Sequence, residues 1–325
     1  MFVFQSATSP PPRASRTAEF MAFFRALQDG GRLRGRRLFA DPLAAAFLRP
    51  SLRLAVRLAG LPLLGAAVPW FVDRRCPGAR SSAIARTRLI DDMVVGAVRA
   101  GMDQVVLLGA GFDCRAYRLP GIDRGRVFEL DHAAILAAKK ARLRRTVGRL
   151  PDHVAFVEAD FEGEGFAQVM TSAGFTQSAR SFFVWEGVTN YLTADAVDTT
   201  LRSIAAVAAP GSRLLFTYVH RGLLDGSIAF TGTRRLRRTL RRVGEPWTFG
   251  LDPAEIPDFL ASRGFDLLGD WGAVEYRARY LGERGRQVRG YEFYRAALAE
   301  VRDRHAPPGI GGAGRDSAGR DACPR

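Results

Sequence analysis

Two short stretches carry residue types that can hold a nucleoside. Residues 105–119, VVLLGAGFDCRAYRL, place four apolar residues before Gly109 and Gly111, and residues 127–132, VFELDH, end a second apolar run in Asp131. The first run suits a parallel strand covered on both faces, and glycines at its end let the chain turn sharply where a ligand approaches the backbone. Asp131 lies 22 residues after Gly109, where a carboxylate can accept hydrogen bonds from both hydroxyls of a ribose. The position three after Gly111 is Cys114, not the third glycine of a dinucleotide fingerprint, which counts against a pyrophosphate-bearing nicotinamide or flavin. Asp113 beside the turn, with Arg115 and Arg118 following, is more comfortable with a cationic ligand. S-adenosylmethionine, an adenosine with a sulfonium and an ammonium group, meets both conditions. Without a ligand, the same residues form an ordinary strand-turn-helix.

Two further acids fall at the ends of apolar runs. Asp160 follows VAFVEA and precedes Phe161, while Glu186 ends SFFVWE and opens EGVTNYLT. Asp160 can accept from an adenine amino group with Phe161 against the ring face, or it can cap a helix. Glu186 can hold an ammonium group. In an open α/β sheet, ligands collect at the carboxyl ends of the strands. Four such ends therefore predict one crevice: 109–113, 129–131, 160–161 and 186–191.

The elements that must position these residues are legible as alternating apolar runs and helical patterns. Strands are predicted at 104–109, 126–131, 154–159, 181–186 and 212–218, with helices near 113–117, 133–147, 163–173, 194–208 and 252–263, the order of a doubly wound sheet. Upstream, Phe20, Phe23, Phe24 and Leu27 recur with helical spacing over 17–28. Asp41 and Pro42 read as the cap and first position of another helix, and a further helix begins near Ser81 or Ser82 and ends at Gly101. The segment 291–304 reads as a helix, or as an edge strand beside 274–280. Residues 1–16 are expected to form a disordered arm and 305–325 a disordered tail, the latter rich in glycine and polar residues.

Composition narrows the class. The chain has 325 residues, 47% of them hydrophobic, which is ample for a core, and a net charge of +15 from 48 basic and 33 acidic side chains. That field favours anionic partners. The cations gather at 32–37, 139–149 and 234–242; in the last, Leu236 and Leu240 stand four apart, so a helix there buries one edge and solvates its arginines. Cys76, Cys114 and Cys323 show neither disulfide arithmetic nor metal-ligand spacing, and the four histidines form no paired motif, so a reducing cytoplasm and no metal are expected. Residues 52–72 are the most apolar stretch, interrupted by Arg53, Arg57, Pro62 and Pro69. They read as a buried helix and loop or as an apolar lid rather than a membrane span.

In order, the motifs TAEFMAFFRALQ, FADPLAAAFL, ARTRLIDDMV, VVLLGAGFDCRAYRL, VFELDH, VEADF and WEGVTNYLT resemble the leucine carboxyl methyltransferase family, within it the bacterial S-adenosylmethionine-dependent branch, over residues 17–218. The resemblance implies a class I methyltransferase, an α/β Rossmann-like doubly wound sheet with an N-terminal helical cap: cap over 17–100, methyltransferase domain over 101–304. It implies that Arg86 pairs with the cofactor carboxylate, with Arg36 as a second cation. Gly109 and Gly111 would lie beside the methionine moiety, Asp131 at the ribose, Asp160 and Phe161 at the adenine, and Glu186 at the ammonium end. Thr189 and Asn190 stand where relatives are often apolar, and 216–220 reads FTYVH, so the acceptor is not carried over from any relative. The expected reaction is O-methylation, on carboxylate or hydroxyl, of an anionic small molecule. A carboxylate acceptor needs no general base; for a hydroxyl, Tyr218 or His220 becomes the candidate base, and Tyr191 lines the pocket. Competing readings are an RNA methyltransferase using the basic surface and a nucleoside-binding protein without catalysis.

Overall fold

Five consecutive buried residues form the first strand, β1 (Gln104–Leu108), in a computed structural model of the protein that describes residues 16–30, 37–61, 65–159, 165–244 and 246–303. The strand is covered on both faces, which explains why it shows no alternation. Around it lie β2 (Arg126–Asp131), β3 (Val154–Glu158), β4 (Ser181–Trp185), β5 (Arg213–Val219), β6 (Phe265–Gly272) and β7 (Tyr294–Val301) in a seven-stranded sheet of order β3-β2-β1-β4-β5-β7-β6. The first five strands are parallel, and β7 runs antiparallel to both its neighbours. Leu108 pairs with Leu130, and Leu107 with Val184. This register brings Gly109 level with Asp131 on one side and Glu186 on the other.

Side chains alternate across the sheet into two cores. One holds Val106, Leu108, Phe128, Phe183, Trp185 and Phe216 beneath α7 (Phe166–Ser172), α8 (Ala194–Val207) and α11 (Ile256–Ala261). The other holds Val105, Leu107, Val127, Phe182, Val184 and Leu215 against α4 (Ala79–Arg99) and α12 (Ala273–Gln287). A third cluster joins α1 (Arg16–Gly30), α2 (Pro50–Ala59), α4 and the glycine turn. At its centre Phe112 stacks on Phe47, ring centroids 4.9 Å apart. The N-terminal helices thus rest directly on the turn after β1. The remaining helices are α3 (Ala67–Arg75), α5 (Arg115–Arg118), α6 (Ala133–Val147), α9 (Arg221–Asp225) and α10 (Thr233–Val243).

Several expectations need revision. Residues 274–280 are helical within α12, and 294–301 is an internal strand paired with β5 and β6 rather than an edge. The edge is β6, whose sequence FDLLGDWG is only half-buried and carries acids and glycines, a poor strand signal. Asp41 does cap, its Oδ1 accepting from Ala44 N at 3.1 Å, but the element it caps is a single 3-10 turn, Ala44–Phe47. The apolar stretch 52–72 divides between α2 and α3, with Leu54, Trp70 and Phe71 exposed. No helix among the described residues is long and apolar enough to cross a membrane. The expected tail, and the expected arm apart from Arg16, lie outside the described residues.

Candidate active site

The turn after β1 is left-handed at Gly109 (φ 63°) and Gly111 (φ 39°), a region that costs L-residues strain. A Cβ at Gly109 would collide with Val188 Cγ2, so the position demands glycine on two counts. Asp131 closes the turn: its Oδ2 accepts from Gly111 N at 2.7 Å and its Oδ1 from His132 N at 2.8 Å. Each carboxylate oxygen can accept a second hydrogen bond, so a ribose diol fits the capacity that remains.

Beneath the turn, four guanidiniums and four carboxylates alternate in one network. Glu186 accepts from Arg86 Nε at 2.8 Å and Arg115 Nη1 at 2.7 Å. Arg115 also pairs with Asp113 at 2.5 Å and Asp91 at 2.8 Å. Asp91 in turn takes Arg118 Nη1 and Nη2, at 2.7 and 2.8 Å. Arg118 Nε lies 3.6 Å from Asp41, which takes Arg25 Nε at 2.8 Å, and Arg25 Nη2 donates to the Phe112 carbonyl at 2.5 Å. The network ties cap, turn and β4 together with charges that cancel.

Its consequence is that Asp113 is not an unengaged carboxylate for a cationic ligand. Both its oxygens are taken by Arg115, one by the backbone N–H. Burial alone would raise its pKa, but Arg115, Arg25 and Lys139 hold it well below the usual carboxylate range. Glu186 follows the same pattern: burial opposes ionisation, yet Arg115 and Arg86 hold the carboxyl at about 2. A carboxyl depressed from 4.5 to about 2 on folding contributes stability that is complete above 4.5 and lost as the pH falls toward 2. The melting-temperature gap between wild type and Glu186→Gln is therefore expected to narrow through that window. Parallel curves would remove the ion-pair assignment.

Behind the turn lies a second buried pair. Lys139 Nζ on α6 is 2.9 Å from Glu129 Oε2 on β2 and 3.4 Å from the Ala110 carbonyl. Both side chains are fully buried. By sequence Lys139 heads a basic cluster. The structure instead spends part of that cluster on the fold, with Lys140 over the Phe156 ring at 5.6 Å, and Arg142 both over Phe112 at 5.0 Å and donating to the Phe47 carbonyl, while Arg144, Arg145 and Arg149 stay exposed.

Of the other expected site residues, Asp160, Phe161 and Arg36 lie outside the described residues. Arg86 sits 5% exposed with its guanidinium 4.4 Å over the Tyr294 ring, at the junction of cap and sheet. Tyr191 is half-buried, edge-on to Trp247. Tyr218 is fully buried, and its hydroxyl donates to Asp270 at 2.8 Å. Burial and the Asp270 charge push its pKa up, so it is a poor base. His220 caps α9, its Nδ1 accepting from Gly222 N at 3.0 Å. Sequence reasoning passed over Asp41 and Asp91 as charge partners, and it placed Glu129 in the crevice where the structure buries it against Lys139. An available signal was phase: Asp91 falls between Ile90 and Val94 on the buried face of α4.

Known proteins resemble this chain in sequence and in fold. A relative from Parafrankia sp., provisionally named an S-adenosyl-L-methionine-dependent methyltransferase, is 33% identical over 252 residues, covering 77% of this chain and 76% of the relative. A similarly named relative from Frankia alni is 35% identical over 194 residues, 58% of this chain and 64% of the relative. Among solved structures, a provisionally described methyltransferase from Thermobifida fusca shares the fold at TM-score 0.52 and 19% identity, covering 91% of this chain and 100% of its own. A DUF574 family protein from Streptomyces avermitilis does so at 0.57 and 15%, covering 89% and 98%. The leucine carboxyl methyltransferase model matches residues 18–205, a span that holds the glycine turn, Asp131, and the Arg86–Glu186 pair. The chain belongs to the leucine carboxyl methyltransferase family.

Proposed function

We propose that this methyltransferase uses S-adenosylmethionine to methylate an oxygen, carboxylate or hydroxyl, of a small anionic acceptor. The observation that carries the reading is Asp131, held against Gly111 N with acceptor capacity left on both oxygens. In this reading Asp131 binds the ribose, Gly109 and Gly111 admit the methionine moiety, and Arg86 meets its carboxylate. Glu186 attracts the ammonium group while keeping Arg86 and Arg115 in place. Asp160 and Phe161 are assigned to the adenine by sequence position. The cap over 17–100 excludes water above the domain over 101–304.

When bound, the cofactor supplies a sulfonium methyl group, the electrophile of the reaction. The chain's own residues align the acceptor with it and exclude water, the two contributions expected where the hard chemistry belongs to a cofactor. A carboxylate acceptor is already ionised near neutral pH. The engaged state of Tyr218 and the capping role of His220 favour that acceptor over one that must be deprotonated. The commitment of Lys139, Lys140 and Arg142 to internal contacts weighs against an RNA substrate.

Asp131→Ala tests the cofactor assignment. Binding of S-adenosylhomocysteine, followed by calorimetry, is expected to weaken by about 1.5–3 kcal/mol, the scale of hydrogen bonds to a charged group. Unchanged affinity in a folded variant would remove Asp131 from the site.

A further inference from the structure

The cap turns an apolar surface outward. Among the described residues nine large hydrophobic side chains are exposed, and four of them, Leu54, Leu61, Trp70 and Phe71, fall on α2, on α3 or between the two. Trp70 and Phe71 are 62% and 57% exposed, although an ordinary fold hides such side chains first. Both helices turn their other side to one core: Val56 and Ala59 of α2 belong to the third cluster, and Val68 and Val72 of α3 pack against it. The exposed sides therefore look away from the same core.

Arginines frame this surface. On α3, Arg74 lies over the Trp70 ring at 5.8 Å and Arg75 over Phe71 at 5.7 Å; spaced one helical turn apart, the four side chains share one face. Just before α2, Arg49 lies over Phe20 at 5.9 Å. Residues 49–75 hold five arginines and one acid, Asp73, which pairs with Arg80 at 2.5 Å. Arg57, Arg74 and Arg75 are exposed and make no ion pair among the described residues. Apolar exposure rimmed by charge of one sign marks an interaction surface, and the sign calls for an anionic partner.

We propose that α2 and α3 dock the cap on an anionic lipid surface. With 10 and 9 residues, the helices are too short to cross a bilayer and instead lie along its interface. Trp70 and Phe71 enter the boundary between headgroups and acyl chains together with Leu54 and Leu61. The guanidiniums of Arg57, Arg74 and Arg75 stay at the level of the lipid phosphates. A second copy of this chain fits less well, because it would set arginines against arginines. A nucleic acid would engage the arginines but leave Leu54 and Leu61 without hydrocarbon to enter. The proposal concerns a face of the cap and is independent of which acceptor is methylated.

Flotation of the full chain with lipid vesicles is the test. Phosphatidylcholine vesicles containing about one third phosphatidylglycerol are expected to bind it about tenfold more strongly than phosphatidylcholine alone, with binding that falls as salt is added. Because α10 also exposes arginines, the decisive variant is Trp70→Ser/Phe71→Ser, which keeps every arginine. It is expected to melt at the wild-type temperature and to bind the anionic vesicles about tenfold more weakly, equivalent to about 1.4 kcal/mol. Arg74→Glu/Arg75→Glu is expected to weaken binding as much. The vesicles are expected to shift tryptophan emission to the blue, and Trp70→Phe to bind with most of that shift gone. The proposal is overturned if the wild type does not float with anionic vesicles, if Trp70→Ser/Phe71→Ser binds them as wild type does, or if Trp70→Phe keeps the whole emission shift. It gives way to a nucleic-acid surface if single-stranded RNA binds more tightly than the vesicles and Trp70→Ser/Phe71→Ser loses it. It gives way to self-association if light scattering finds a dimer that the same variant abolishes.

Discussion

Replacement of Arg115 by methionine is expected to lower stability by about 3–5 kcal/mol, the cost of stripping one partner from a buried ion pair. Arg115 is 2% exposed and meets three carboxylates, Asp91, Asp113 and Glu186. Without it, among the described residues, Asp113 keeps a backbone N–H and the more distant charges of Arg25 and Lys139, and Glu186 keeps its ion pair with Arg86. Methionine fills much of the volume, so the loss reports charge rather than a cavity. Arg115→Lys is expected to recover only part, because an ammonium lacks the planar fork that reaches several acceptors at once. Chemical denaturation of the two variants measures both effects. If Arg115→Met is as stable as wild type, the network is not what holds cap, turn and β4 together. Since Glu186 lies level with Gly109 across the sheet, the same variant is expected to weaken cofactor binding beyond what Arg86→Ala alone produces.

Lys139→Met is expected to destabilise by a comparable amount, about 3–5 kcal/mol at neutral pH. It leaves Glu129 fully buried beside Tyr117 and Asp113, with no ion pair remaining to it among the described residues. Burial already raises the Glu129 carboxyl from its ordinary value, with Lys139 opposing the rise. Removing the lysine raises it further. A carboxyl whose folded pKa is raised costs stability as the pH climbs above its unfolded value of 4.5, so the variant is expected to recover toward wild type in acid. Glu129→Leu added to Lys139→Met is expected to restore most of the loss even at neutral pH, since well-packed apolar residues can replace a buried pair at little cost. Urea denaturation of the two single variants and the double variant at two pH values decides the matter. Additive losses in the double variant would show that the pair is not coupled.

Both predictions concern residues that the sequence displays without revealing their partners. Arg115 follows the glycine turn in plain view, and Lys139 opens what reads as a basic segment. Charges of this kind are usually solvated, and a one-dimensional pattern cannot tell a lysine on the outer face of α6 from one turned under the sheet. The five parallel strands are legible to within a residue or so because each is a short apolar run closed by glycine or acid. The glycine turn is legible for a similar reason, since few sequences serve a sharp left-handed bend. By contrast β6, with its acids and glycines, is not, because an edge strand half open to solvent needs no continuous apolar run. The partners of β7 escape detection on the same account: pairing with β6 across the 15-residue α12 and the loop after it, and with β5 across a still longer stretch, leaves no local mark.

By itself the sequence determined that the fold is a doubly wound α/β sheet and that the turn at Gly109–Gly111 faces Asp131. Those features depend on local patterning and on conformations open to few residue types. The tertiary structure alone decided which charges are spent and which remain available. It placed Asp113 and Glu186 in a network with Arg115, turned Lys139 inward onto Glu129, and engaged Tyr218 with Asp270. The physical reason is that a side chain's chemistry is set by the groups within a few ångströms of it, and some of those groups come from segments a hundred residues or more away.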